Sequence, residues 1–259
     1  MKGIILYFSG AGNTKFVVDN LKDELIKNNC EVDIYSIEDN IKFEKFSYDF
    51  LILGFPKYFE YIPRNFLEYI EENLCYSEKE VKTMIISTGR EDNKIYFYDL
   101  EQSLRNKNFK VVLSKSFKMP DSYTLTRSYK LLDKADIEKI LYRSLEEIKS
   151  ISLKFLIEKP IKVEISKYKS IIYKKFSEYK TRDLYKNSYK FSVSSECDNC
   201  NLCVSTCPSR NIENISETIK FRDNCIMCCR CVNVCPKNAI LYKEKKYIQY
   251  KENINLIIR

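Results

Sequence analysis

Two copies of one cysteine pattern, 28 residues apart, constrain this chain more than anything else in it. The first copy is Cys197, Cys200, Cys203 and Cys207 followed by Pro208, and the second is Cys225, Cys228, Cys231 and Cys235 followed by Pro236. Three thiols at three-residue intervals wrap a tight loop about one face of a cubane cluster, and the fourth, ahead of a proline, leaves on a departing segment. Two other readings compete. Zinc would want two separated cysteine pairs or Cys/His mixtures closing a tetrahedron, and runs of three do not divide that way. A disulfide scaffold would spread its cysteines, yet nine of the eleven lie between residues 197 and 235. Outside that stretch stand Cys30 and Cys75, which read as ordinary half-buried thiols. Cys229, between two members of the second run, reads as a small filler, with an influence on redox potential or a ligand exchange as its alternatives.

The sequence holds no histidine. Imidazole metal ligands, Rieske-type clusters, histidine-based triads and the usual near-neutral proton carrier are therefore excluded.

A strand-like flank at Tyr189–Val193, the two cysteine runs, and Asn238-Ala239-Ile240 after Cys235-Pro236 resemble the bacterial two-cluster ferredoxins over residues 191–242. That resemblance implies a small α+β module carrying two [4Fe–4S] clusters and transferring single electrons at low potential. It also implies a crossed ligand set: Cys197, Cys200, Cys203 and Cys235 on one cluster, and Cys225, Cys228, Cys231 and Cys207 on the other.

The first 120 residues have a different rhythm. Short β-rich runs at 3–8, 31–36, 49–54, 82–87 and 110–117 alternate with helical patterns at about 14–28, 62–74 and 93–106. The third and fourth runs are continuously apolar, as strands covered on both faces are. A further helix is expected from about 131 to 157, with Leu131, Ala135, Leu141, Leu145 and Ile148 as its apolar stripe. This order predicts an α/β fold with a doubly wound parallel five-stranded sheet.

The first run ends in Ser9-Gly10-Ala11-Gly12-Asn13-Thr14 and opens a helix. Glycines, hydroxyls and a helix N-terminus together suit a phosphate. The loop lacks the Gly-Lys-Ser/Thr of a Walker A motif, and Lys15 stands where G-x-G-x-x-G needs its third glycine. Ligands of such sheets sit at carboxyl strand ends near the switch point. There the third strand offers Pro56-Lys57-Tyr58-Phe59 and the fourth Ser87-Thr88-Gly89.

These loops resemble flavodoxin, and the whole chain resembles the flavodoxin–ferredoxin fusion proteins of anaerobic bacteria, including Met119-Pro120-Asp121-Ser122-Tyr123 after the fifth strand. The resemblance implies FMN, its phosphate held by Ser9, Gly10, Ala11, Gly12, Asn13 and Thr14. Pro56, Lys57, Tyr58 and Phe59 would flank the isoalloxazine, with Tyr58 the stacking candidate. Ser87, Thr88 and Gly89 would approach its other edge, and Tyr123 would close the site. Ala11 stands where flavodoxins commonly have threonine, and Arg90-Glu91-Asp92-Asn93 replaces their usual small residues. A flavodoxin-like domain without flavin, or with another phosphate-bearing ligand, remains open.

Charge divides the chain further. Residues 1–126 carry net −3, residues 127–190 net +8 and residues 191–259 net +3. Between 160 and 190, nine Lys/Arg interleave with Tyr168, Tyr173, Tyr179, Tyr185 and Tyr189 after a break at Pro160. This segment reads as an amphipathic helix packed on one of the two domains. Docking of an acidic redox partner is the alternative, and no nucleic-acid-binding motif accompanies it. The expected organisation is a flavodoxin-like domain over 1–158, a basic helical linker over 159–190, a ferredoxin-like domain over 191–245 and a tail over 246–259. No apolar stretch reaches the length that spans a bilayer, and no signal sequence is evident, so a cytoplasmic protein is expected. The leading functional expectation is an electron carrier relaying single electrons between two [4Fe–4S] clusters and FMN, with redox proteins as partners. Its rivals are an FMN oxidoreductase acting on a small substrate and a non-catalytic iron–sulfur module.

Overall fold

The computed structural model describes every residue except 93–94, 127–128, 158–165, 187 and 258–259. The expected break at Pro160 and the residue Asn93 lie outside the described residues. The chain divides into two compact units. The first comprises Met1–Ser9, Thr14–Pro120 and Lys134–Ser177, and the second Gly10–Asn13, Asp121–Asp133 and Glu178–Arg259. The expected linker thus divides between Ser177 and Glu178, and residues 246–259 fall within the second unit.

The first unit is built on β1 (Lys2–Tyr7), β2 (Glu31–Ser36), β3 (Phe50–Pro56), β4 (Val81–Gly89) and β5 (Phe109–Lys118). All neighbours pair in parallel in the order β2-β1-β3-β4-β5, the doubly wound arrangement expected from the alternation of patterns. The register shifts between Thr83 and Met84 where β4 meets β5. Strand β3 is buried from Phe50 to Phe55, which explains why its run is apolar without alternation. Phe50 lies over Gly3, leaving no room for a β-carbon there: one would sit 2.0 Å from the ring. The same ring meets Phe155 edge-on at 5.4 Å.

Helices α1 (Asn13–Lys27), α2 (Arg64–Asn73), α3 (Tyr98–Asn106) and α4 (Lys134–Leu156) cover the sheet. Val17, Val18, Leu21 and Leu25 of α1 join Ile148, Ile151 and Phe155 of α4 in one core. The α4 stripe differs from the sequence expectation. Leu131 precedes the helix, and Ala135 and Leu145 are exposed, whereas Ile137, Ser144, Ile148, Ile151, Ser152 and Phe155 are buried. Ser144 occupies a core-facing position because its hydroxyl donates to the Ile140 and Lys118 carbonyls. A polar residue on the buried face displaced the apparent stripe.

Helix α5 (Lys167–Lys186) supplies the first unit with residues up to Ser177. Tyr173 stacks on Tyr96 at 4.4 Å, Phe176 meets Phe59 edge-on, Lys174 pairs with Asp99, and Ser177 Oγ donates to the Tyr58 carbonyl. The aromatic residues of the basic segment include a packing face.

The second unit pairs β6 (Phe191–Val193) with β9 (Ile240–Tyr242), and β7 (Ile212–Ile215) with β8 (Thr218–Phe221), both antiparallel. Short helices α6 (Leu202–Ser205) and α7 (Arg230–Val234) lie within the two cysteine runs, each ending ahead of the run's last cysteine. The sequence repeat is also a backbone repeat. Left-handed φ values recur at Asn199 and Met227, at Asn201 and Cys229, and at Arg210 and Asn238, each pair 28 residues apart. Among the described residues no helix is long and apolar enough to cross a membrane.

Candidate functional site

Each cysteine run bends around a left-handed residue one position ahead of its helix: Asn201 at φ 60° and Cys229 at φ 60°. Asparagine tolerates that conformation, whereas other side chains meet a penalty of about 1–2 kcal/mol. Cys229 is therefore the repeat-mate of Asn201. It is buried, and its thiol lies 3.8 Å from the Met227 carbonyl, within donating range.

The bends gather the eight repeat cysteines into two sets. Cys197, Cys200, Cys203 and Cys235 line one cavity with Ile219, Ala239 and Ile240; its volume is about 330 Å³ including the mouth. Cys207, Cys225, Cys228 and Cys231 line a second, of about 360 Å³, with Phe191, Ile212, Phe221 and the additional cysteine Cys229. Each cavity thus takes three repeat cysteines from one run and the last from the other. None of the eleven cysteines is paired in a disulfide. Among the described residues, no three Cys, Asp or Glu side chains are gathered as they would be about a single metal ion.

Electrostatics reports the same grouping. Burial pushes the Cys203 thiol up to about 11, and the next contributions come from Cys235, Cys197 and Cys200. Burial likewise pushes Cys225 up to about 12, with Cys228 and Cys207 adding to it. Four neighbouring sulfurs cannot all ionise side by side without positive charge among them, so the arrangement fits a cationic iron–sulfur core and penalises bare thiolates. Backbone N–H groups already point at three sulfurs: Asn211 to Cys207 at 3.2 Å, Met227 to Cys225 at 3.3 Å and Ala239 to Cys235 at 3.3 Å. Asn211 and Ala239 are again repeat-mates.

At the carboxyl ends of the first unit's strands, Thr14 and Thr88 share a hydroxyl–hydroxyl bond of 2.8 Å, and the Lys57 N–H donates to the Thr88 carbonyl. The Lys15 N–H donates to Ser9 Oγ, capping α1. Pro56 closes β3. After it, Tyr58 and Tyr61 pair across a tight turn whose central residues, Phe59 and Glu60, both have positive φ. Lys57 is 3% exposed at its side chain, pairs with Glu60 at 2.8 Å, and lies so close to Gly89 that a β-carbon there would meet its Cε at 2.7 Å. Ser87 Oγ is buried without a partner among the described residues.

In the second unit, Gly10, Ala11, Gly12 and Asn13 are buried, and Gly12 has φ 96°. Among the described residues, none accepts a hydrogen bond from the N–H groups of Gly10, Ala11 or Gly12. Buried, unpaired N–H groups ahead of a 15-residue helix are what a phosphate needs, so the loop fits FMN. Tyr123, expected to close the flavin site, lies in the second unit. Its ring packs against that unit's core, and its hydroxyl is pushed far up by burial and then by Cys229.

The model of the flavodoxin domain matches residues 4–147, more than half of the chain. The chain belongs to the flavodoxin family. A 4Fe–4S dicluster domain matches residues 179–240. The flavodoxin-family architecture here is therefore a fusion of the two, and its cofactors are FMN and a pair of [4Fe–4S] clusters. Among solved structures, oxidised flavodoxin 2 from Bacillus cereus is 19% identical, covering 61% of this chain and 99% of its own at a TM-score of 0.42. A flavodoxin from the domain Archaea is 15% identical over 60% and 99%, at 0.38. The two-electron reduced Megasphaera elsdenii flavodoxin is 17% identical over 56% and 98%, at 0.36. No curated protein matches the chain. A flavodoxin domain joined to a dicluster domain makes this an electron-transfer protein.

The backbone signals at Asn201 and Cys229 were not read from the sequence. The 28-residue offset could have found them, since it aligns Cys229 with Asn201, a residue type that favours left-handed turns.

Proposed function

We propose that this flavodoxin-family chain relays single electrons between two [4Fe–4S] clusters and FMN within one molecule. When bound, a cluster exchanges one electron and FMN one or two, so joining them in one chain matches one-electron to two-electron partners. In this reading Cys197, Cys200, Cys203 and Cys235 hold one cluster, and Cys207, Cys225, Cys228 and Cys231 the other. Ser9, Gly10, Ala11, Gly12, Asn13 and Thr14 hold the FMN phosphate, while Pro56, Lys57, Tyr58 and Phe59, with Ser87, Thr88 and Gly89, border the ring. The observation that carries the reading is the sorting of the eight repeat cysteines, four to each of two cavities, the second of which Cys229 also lines.

The chain's own groups have definable tasks. The N–H bonds to Cys207, Cys225 and Cys235 spread thiolate charge, which favours the reduced state of whatever the sulfurs hold. Ile212, Ile219 and Ile240 line the cavities and keep water from the sulfurs. Sharing one chain holds the redox centres at an effective concentration of about millimolar.

The test is anaerobic purification with iron, sulfide and flavin quantified, followed by dithionite reduction and reoxidation with a one-electron acceptor. About eight iron, about eight sulfide and one FMN per chain, all cycling together, are expected. Stoichiometric zinc, or flavin that stays oxidised while the clusters turn over, would overturn the relay.

A further inference from the structure

The segment after β9 lies beyond the residues matched by either family model, yet it grips the loop Gly10–Asn13. Tyr250 Oη donates to Asn13 Oδ1 at 2.6 Å, and Asn253 Nδ2 donates to the same oxygen at 2.9 Å. The Asn253 backbone lies against Gly12, where a β-carbon would sit 1.9 Å from its carbonyl oxygen. Tyr250 and Ile254 share an apolar cluster with Ala11 and Val234. From α7, Arg230 Nε donates to the Gly10 carbonyl at 2.9 Å. Tyr250 and Asn253 are 1% and 5% exposed.

The gripping segment is itself anchored. The Tyr250 N–H donates to Asn233 Oδ1, Lys251 Nζ to the Asn233 carbonyl, and Gln249 Nε2 to the Cys235 carbonyl. All of these partners belong to the second unit, as do Gly10–Asn13.

Resting on the FMN reading above, we propose that Tyr250 and Asn253 are part of the phosphate site: they brace the loop in its binding shape and close it from solvent. A plug that mimicked phosphate would present oxygens to the loop's N–H groups. This segment instead brings two donors to the Asn13 side-chain oxygen Oδ1, and its Asn253 carbonyl, though against Gly12, accepts from none of the N–H groups of Gly10, Ala11 and Gly12. Fixing Asn13 and Gly12 lets the loop meet a dianion without first paying to order itself.

The experiment uses the full chain with its clusters in place, stripped of flavin and titrated anaerobically with FMN and with riboflavin, which lacks the phosphate. Fluorescence quenching reads affinity, and iron content reads integrity. In Tyr250→Phe and in Asn253→Ala, FMN affinity should fall about tenfold, each variant losing a buried hydrogen bond to Asn13, while riboflavin affinity stays within about twofold. Unchanged FMN affinity in both variants with iron retained, or FMN binding that tightens as a plug's removal would make it, overturns the proposal. If either variant loses iron, Asn253→Asp decides: a carboxylate of the same shape beside the loop should weaken FMN far more than riboflavin, and equal effects overturn the brace. A wild-type chain that binds neither flavin overturns the FMN reading itself, an outcome distinct from a failed brace.

Discussion

Exchange of the last cysteine between the two runs makes a sharp prediction about double substitutions. Cys203 and Cys207 belong to one run in the sequence but line different cavities, whereas Cys203 and Cys235 belong to different runs and line the same cavity. Cys203→Ala with Cys235→Ala should therefore remove one cluster and leave about four iron and four sulfide per chain. Cys203→Ala with Cys207→Ala should damage both sites and leave close to none. Alanine is preferred to serine because it offers no oxygen to take the sulfur's place. Iron and sulfide analysis of anaerobically purified protein gives the count, and electron paramagnetic resonance of the reduced protein should lose its cluster–cluster coupling in both variants but keep a single-cluster signal only in the first. The reverse pattern, with four iron retained by the Cys203/Cys207 variant and none by the Cys203/Cys235 variant, would mean that each run closes its own cluster, and the reasoning would be refuted.

Three further expectations concern the framework. Gly3→Ala must displace the Phe50 ring, an overpacking that should destabilise the first unit by about 1–3 kcal/mol in urea unfolding, and Phe50→Leu should recover part of that loss in a double-mutant cycle. Cys229→Asn, which copies the repeat-mate Asn201, should keep about eight iron, and loss of a cluster would show Cys229 to be a ligand after all. Burial, and then its bond to Asp33, push the Tyr48 hydroxyl up to about 12. The folded state therefore holds that proton more tightly than the unfolded chain, whose tyrosines titrate near 10. The stability contributed is whole below pH 10 and disappears as pH rises through 12. Tyr48→Phe should flatten that alkaline decline in denaturant midpoints, and an unchanged slope would count against it.

Much of this was legible from residue order. Continuous apolar runs at β3 and β4 announce a sheet covered on both faces, and the glycine-rich turn after β1 marks a strand-to-helix junction, because both signals are local. The cysteine offsets announce two equivalent sites for the same reason. What escaped the sequence depends on partners far along the chain. Ser144 sits on the buried face of α4 because the Lys118 carbonyl is there to accept its hydroxyl. Tyr123 follows β5 by a few residues, yet its surroundings are Phe191, Cys229 and Tyr242. Tyr250 and Asn253 bear no motif, and their relation to Asn13 spans 237 and 240 residues. No periodicity or spacing carries information over that distance.

That span has a consequence in time. The turn after the first strand leaves the ribosome 237 and 240 residues ahead of the tyrosine and the asparagine bonded to it. At ordinary elongation rates they emerge on the order of 10–50 s apart. Throughout that interval the growing polypeptide carries an unfinished turn, so maturation of that segment waits on residues made much later.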